Sequence, residues 1–390
     1  MKSANCPSVG VLSVVMAMLV LLPAGAAEKP ADDWPTYLHD SARSGVSAVP
    51  LPQPLHRKWI FQPRHAPRPA WPAPAKQDIW HEIRELSPVV TYDRAYHAVI
   101  ADGRLYFGSS ASDNVYCLDA ATGDLQWVFY AEAPIRLAPA VASGKVYFGS
   151  DDGWIYCLTA AEGRLVWKHR CPAEDRRLPG NGRIISATPA RTGVVVDNGI
   201  AYYFSGLFPE LAVYRCALDA ETGAPVWVEK TEGVSPQGYL LASPQRLFVP
   251  TGRTNPAIFE RVSSKPLGQL PSGGGTYAVL VDDALASGPS RTSGNTLQLS
   301  DPNTSEGIAT CDGVRMVVSG PIAYIQSKTE LSALDRPKYL ALGRQRNEQS
   351  ALRKQVEDQL KAAKDNRDAA EIARLKAELE KQDGILADFD

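Results

Sequence analysis

From residue 98 onward the chain alternates between short apolar runs and polar turns rich in Gly, Asp and Asn, and the runs repeat. Ala101-Asp102-Gly103-Arg104-Leu105-Tyr106-Phe107-Gly108-Ser109 returns as Ala142-Ser143-Gly144-Lys145-Val146-Tyr147-Phe148-Gly149-Ser150. Val115-Tyr116-Cys117-Leu118 returns as Ile155-Tyr156-Cys157-Leu158, Gly123 as Gly163 and Trp127 as Trp167. Each unit reads as four short strands. In the second they fall at 139–143, 146–149, 155–158 and 165–169, with Asp151-Asp152-Gly153 as a hairpin turn in which Asp and Gly tolerate positive φ. Four-stranded units of about 40 residues predict propeller blades, and such a unit cannot bury both faces unless its neighbours stack on it.

The pattern loosens downstream. A third copy runs through Asn198-Gly199 to Trp227, with longer loops around 172–189 and 207–211. A fourth holds Leu247-Phe248-Val249 and Ile258-Phe259 and ends near Leu270, where Leu takes the Trp position. Residues 277–311 are faint, and Ile322-Ala323-Tyr324-Ile325 with Leu331-Ser332-Ala333-Leu334-Asp335 make a last half-copy. The period then changes. Leu352, Val356 and Leu360, then Ile372, Leu375 and Leu379, form a helical stripe interrupted by polar residues 364–368. This predicts one long helix or an antiparallel hairpin from about residue 342, inserted where a blade's last turn and strand should be. Its narrow, broken stripe predicts that it projects from the β-domain. The fold class expected is all-β: a β-propeller of about six to eight four-stranded antiparallel blades, incompletely closed, with a C-terminal helical insertion.

At the other end, Lys2 precedes an apolar run at 9–22, then Pro23 and the small residues Ala24-Gly25-Ala26. This is the layout of a cleavable signal peptide, shorter than the ~20 residues a membrane-spanning helix needs. No Cys follows the cleavage site, so a lipid anchor is not expected. The expected organisation is signal peptide 1–26, extended segment 27–57, propeller 58–340 with a Pro-rich insertion at 62–92, and helical segment 341–390. The location expected is the periplasm or the cell exterior, with no membrane span after cleavage.

Composition adds exclusions. A net charge of −2 over 390 residues gives no electrostatic ground for nucleic-acid or anionic-membrane binding. Cys117, Cys157, Cys171, Cys216 and Cys311 remain after processing, an odd number without C-x-x-C spacing. Cys117 and Cys157 hold equivalent places in neighbouring units and are expected not to be bonded to each other. The six His show no ligand-like spacing, so no metal site is expected.

Cys117-Leu118-Asp119-Ala120-Ala121-Thr122-Gly123-Asp124-Leu125-Gln126-Trp127 resembles the tryptophan-docking repeat of pyrroloquinoline-quinone-type propellers, Ala-x-Asp-x-x-Thr-Gly-x-x-x-Trp. Ala217, Asp219, Thr222, Gly223 and Trp227 match it fully; the copy ending at Trp167 departs at Cys157, Thr159 and Glu162 but keeps Gly163. Asp33-Trp34-Pro35-Thr36-Tyr37 and Lys58-Trp59 are similar to the opening of such chains, the latter as an outermost strand. The resemblance covers roughly residues 32–340. It implies that Asp119, Gly123, Trp127, Gly163, Trp167, Asp219, Gly223 and Trp227 build seams between blades. The dehydrogenases of the superfamily use a bound quinone, Ca²⁺, an Asp base and often a Cys-Cys disulfide. No Cys-Cys pair stands here, and no ligand positions align.

The expectation is therefore a non-catalytic scaffold, with no cofactor and an unidentified protein partner. It resembles the propeller of the outer-membrane β-barrel assembly machinery. The alternative is a quinone-dependent dehydrogenase holding pyrroloquinoline quinone with Ca²⁺, or a degenerate relative. Within 62–92, Trp71, Trp80 and His81 are candidates for partner contact. Ser272-Gly273-Gly274-Gly275 lacks the Lys and helix of a phosphate loop, and Asp282-Asp283 reads as a solvated turn.

Overall fold

A computed structural model describes residues 33–51, 53–70, 94–180, 182–206, 211–252, 254–271, 277–281, 284–289 and 295–389. Trp71, Trp80, His81, residues 1–32, residues 272–276 and Asp282-Asp283 lie outside them.

Among the described residues six blades follow one another. Blade one is β1 (Val99–Ala101), β2 (Arg104–Ser109), β3 (Asn114–Asp119) and β4 (Leu125–Tyr130); blade two is β5 (Ala140–Ala142), β6 (Lys145–Gly149), β7 (Trp154–Thr159) and β8 (Leu165–Arg170). The long loop before blade three folds into a hairpin, β9 (Arg177–Gly180) with β10 (Arg183–Ser186), and then gives β11 (Thr192–Gly193). Blade three is β12 (Val195–Asp197), β13 (Ile200–Ser205), β14 (Val213–Asp219) and β15 (Pro225–Thr231). β16 (Gly238–Tyr239) pairs in parallel with β11, a link the repeat pattern does not predict. Blade four is β17 (Leu241–Ala242), β18 (Arg246–Val249), β19 (Ala257–Glu260) and β20 (Pro266–Gln269); blade five is β21 (Ala278–Val281), β22 (Ala284–Ser287), β23 (Thr296–Ser300) and β24 (Gly307–Asp312). Blade six has only three strands, β25 (Arg315–Ser319), β26 (Ile322–Gln326) and β27 (Leu331–Asp335). All blade pairings are antiparallel.

The core lies between blades. Inner and middle strands are buried on both faces, as in β2, β13 and β18, while outer strands such as β4, β8 and β20 are largely exposed. Cross-strand rings repeat from blade to blade: Phe107 stacks on Tyr116 at 4.9 Å, and Phe148 on Tyr156 at 5.2 Å. Cys117 and Cys157 sit at the same register, opposite Tyr106 and Trp127 and opposite Tyr147 and Trp167, and both are free thiols.

Residues 33–46 lace the first strands together. Trp34 pairs with Ile100 of β1, Val141 of β5 donates to the Pro35 carbonyl, Ala242 of β17 to Ser41 and Leu280 of β21 to Ala42. Arg43 anchors this strap. It is buried, donates to the carbonyls of Leu240, Tyr37 and Asp40 and to Thr36 Oγ1, and lies over the Tyr239 ring.

The C-terminal helices form a hairpin, α1 (Arg336–Asp365) and α2 (Ala369–Ala387). α1 starts before the expected residue 342 because Asp335 caps it, accepting from Lys338 N at 3.1 Å, with Pro337 in the first turn. The apolar stripe is spent within the hairpin: Leu360, Ala363 and Leu375 are its core, with Val356, Ile372 and Leu379 around them. The expectation of projection needs correction at the base. Leu340 is fully buried against blades five and six, Tyr339 Oη bonds the Thr310 carbonyl, and Asn347 Nδ2 donates to the Gly307 carbonyl at 2.7 Å. Gly343 lies so close to β24 that a Cβ there would stand 2.7 Å from the Ile308 carbonyl. The first turns thus cover the outer strand of blade five.

Candidate interaction site: blade seams and an open edge

The docking turn begins with its Asp. Asp119 Oδ1 accepts from the amides of Ala121 and Thr122, each at 2.9 Å, and Asp219 Oδ1 from Thr222 N and Oγ1, each at 2.8 Å. These bonds hold both carboxyls below their ordinary range: turn amides come first for Asp119, the Thr222 hydroxyl first for Asp219. The fourth residue past the Asp must take positive φ, and Gly123, Gly163 and Gly223 do so at +81°, +67° and +74°.

A tryptophan from the preceding blade, or for Gly123 from the segment at 58–61, lies on each of these glycines. Trp59 rests on Gly123, Trp127 on Gly163 and Trp167 on Gly223; an added Cβ would stand 2.7, 2.6 and 2.7 Å from the respective rings. Each indole N–H finds the same carbonyl of the turn: Trp59 to Ala120 at 3.1 Å, Trp127 to Ala160 at 3.1 Å and Trp167 to Ala220 at 3.0 Å. Tyr106 and Tyr147 hydroxyls share the last two acceptors. Every group here is committed to a seam.

Two eroded copies of the turn escape the sequence pattern. Asp301 Oδ1 accepts from Asn303 and Thr304 amides as Asp119 does from its own turn, and Ser305 takes the Gly place at φ +70°. In blade four, Glu260 and Ser264 repeat the arrangement, with Ser264 at φ +64°, and Trp227 donates to the Arg261 carbonyl at 3.3 Å. Blade five keeps the Asp and Thr but loses the Gly and Trp, and blade four keeps only the backbone pattern.

The sixth blade is different. Met316, Ala323 and Ile325 face blade five and are buried, while Val317, Tyr324 and Leu331, on the other face, are 38%, 43% and 71% exposed. Where a fourth strand should begin, Asp335 caps a helix instead of a turn. β27 has no partner on its outer side among the described residues. Residues 58–61 carry the signature of an outer strand: Trp59 docks like Trp127, and Phe61 packs on Phe107 and Tyr116 as Phe129 does on Phe148 and Tyr156. Yet among the described residues no backbone hydrogen bond joins this segment to β27. Among the described residues the ring is incomplete at this place.

A second cluster that the sequence did not signal lies at the loops of blades one and two. Asp151, expected only as part of a turn, is 1% exposed and receives Arg136 Nε at 2.7 Å and Arg191 Nε at 2.7 Å. Arg136 Nη1 also donates to the Arg68 carbonyl, and Arg183 pairs with Asp113, whose carboxyl burial pushes up. A quinone with calcium asks for a free planar face and converging oxygen ligands. Among the described residues no three His, Cys, Asp or Glu side chains converge, and Tyr239 is already covered by Tyr37 at 3.6 Å.

Residues 73–227 match the protein family described as "Outer membrane protein assembly factor BamB". No curated protein sequence matches the chain. Among solved structures it is similar to BamB from Moraxella catarrhalis, at 16% identity and TM-score 0.45, over 60% of this chain and 70% of that one. It is also similar to a quinohemoprotein alcohol dehydrogenase from Pseudomonas putida HK5, at 17% identity and TM-score 0.45, over 56% of this chain and 42% of that one. For the quinohemoprotein alcohol dehydrogenase from Comamonas testosteroni the values are 15% and 0.49, over 73% and 49%. The chain spans less than half the length of either dehydrogenase.

Proposed function

We infer a non-catalytic interaction scaffold, exported to the periplasm or the cell exterior, from a repeat propeller whose residues 73–227 match the BamB family. The observation that carries this reading is the sixth blade, with an unpaired strand edge at β27 beside the exposed side chains of Val317, Tyr324 and Leu331. An edge of this kind recruits an extended segment of a partner by main-chain pairing, with pockets for alternate side chains. The matched family's name, an outer-membrane protein assembly factor, suggests the partner class: a component or client of membrane-protein assembly. The apolar segment at 9–22 supports export, and among the described residues no helix is long and apolar enough to cross a membrane.

The test is a photo-reactive residue at Leu331 of the full chain in its producing cell. A cross-linked partner that disappears when the probe is moved to Leu165 on blade two supports the reading; equal labelling from both sites overturns it. A quinone-dependent dehydrogenase is the competing outcome. Stoichiometric binding of pyrroloquinoline quinone with Ca²⁺, followed by its absorbance, together with dye-linked alcohol oxidation, would replace the scaffold reading.

A further inference from the structure

The end of blade two and the middle of blade three bring two cysteines together. His169 and Cys171, two residues apart at the end of β8, run beside β13. His169 Nδ1 is 2.7 Å from the Tyr203 hydroxyl, and the Cys171 carbonyl is 2.9 Å from Ser205 Oγ. β14 lies on the other side of β13, with Tyr203 opposite Cys216 and Ser205 opposite Tyr214. Cys171 is therefore fixed next to the strand pair that carries Cys216, and both belong to one packed cluster with Tyr203 and Ala190. Both are buried free thiols in this structure, and each perturbs the titration of the other. Cys117 and Cys157 have no such neighbour: each faces a tyrosine hydroxyl of its own blade.

We propose that Cys171 and Cys216 are joined by a disulfide in the exported protein, a bond that ties blade two to blade three at the root of the long 172–189 loop. The proposal rests on the export reading, because that compartment supplies the oxidant, a disulfide-bearing thiol oxidase or small-molecule disulfide. The Cys171 thiolate attacks the oxidant's disulfide, forming a mixed disulfide and releasing one oxidant thiol. Cys216 then loses its proton, attacks the Cys171 sulfur and releases the second thiol. Two protein thiols are oxidised and one oxidant disulfide is reduced. In the folded chain burial pushes the Cys216 thiol well up, while the neighbouring Cys216 thiol holds Cys171 below its ordinary value. Because both sulfurs are enclosed in the finished fold, the bond forms as the blades close.

The experiment has two arms. In the first, the full chain with its leader is expressed, and the exported fraction is acid-quenched, denatured, alkylated and mapped. A peptide pair linking Cys171 to Cys216 is expected, two hydrogen atoms lighter than the free peptides, with Cys117, Cys157 and Cys311 alkylated. In the second, purified chain is refolded from denaturant in a mixture of oxidised and reduced glutathione. The same linked pair is expected, and a reductant should then lower the melting temperature by several degrees in the wild type but not in Cys171→Ser. Failure of export with success of the second arm removes the location and leaves the pair. Alkylation of both cysteines in the refolded protein, or a dominant bond to Cys117, Cys157 or Cys311, overturns the pair itself.

Discussion

Blades two and six are cut from the same repeat and meet opposite fates. In blade two, both faces are covered: Trp127 and Phe129 close it on one side, and its own Trp167 lies on Gly223 on the other. In blade six, one face packs on blade five and the other leaves Val317, Tyr324 and Leu331 partly exposed. The difference does not lie in strand propensity, since β25 to β27 pair as regularly as β5 to β7. It lies in the residues just beyond the Leu-Asp step that ends the third strand of a blade. After Asp119 and Asp219 the backbone turns back through a positive-φ Gly to an outer strand with a Trp; after Asp335 it enters a helix with Pro337 in the first turn. One carboxylate makes either a turn or a cap, and its neighbours on the C-terminal side decide which.

The sharpest way to break this comparison is to remove side chains from sealed and open faces. Trp167→Ala empties a buried seam and loses an indole hydrogen bond, and is expected to cost about 3–5 kcal/mol. Tyr324→Ser, on the more open face, should cost less, about 1–2 kcal/mol. Trp59→Ala should fall between, because Trp59 docks fully but on a segment without strand pairing. Denaturant unfolding of the three variants decides it. Equal losses for Trp167→Ala and Tyr324→Ser would mean that the sixth blade is covered in solution by something with the same grip.

A smaller effect tests why some turns keep Gly and others do not. Gly163→Ala puts a Cβ 2.6 Å from the Trp127 ring at a φ of +67°, and strain plus overpacking should destabilise the fold by about 2–4 kcal/mol. Ser305→Gly removes the positive-φ strain at +70° but also the hydrogen bond from Arg246 at 3.1 Å, so the net change should stay within about 1 kcal/mol. Equal harm from both changes, measured by denaturant unfolding, would rule out the close ring as the reason for glycine.

The blades carrying Gly and Trp were legible in the sequence because those residues answer to a local demand: a positive φ and a flat ring against bare backbone. Blades four and five blurred because Ser264, Ser305 and Leu270 satisfy the same backbone with different side chains. The hairpin's length and stripe were legible, but not its docking. Tyr339 and Asn347 bond carbonyls of β24, Gly343 lies close against that strand, and such contacts leave no periodic trace. The buried Asp151 with Arg136 and Arg191 was hidden for another reason: the three residues are scattered among loops, and a turn Asp looks the same whether it meets water or guanidinium.

The smallest expected effect sits within the sealed region, at His169. Burial holds its imidazole below the ordinary 6.5, with the Tyr203 hydroxyl 2.7 Å from Nδ1. The folded state thus keeps His169 neutral in a range where the unfolded chain takes up a proton. As pH falls below 6.5 the unfolded state binds more protons, and stability declines until the folded-state value is also passed; above 6.5 the group contributes no slope. Melting curves across that range should therefore drop on the acidic side. His169→Gln, which can still meet the Tyr203 hydroxyl, should remove that part of the slope and leave the neutral-pH melting temperature nearly in place. An unchanged acidic slope in His169→Gln would show that the seam between blades two and three admits enough water for the imidazole to titrate as it does in the unfolded chain. The sealed blades would then differ from the open one in packing but not in dryness.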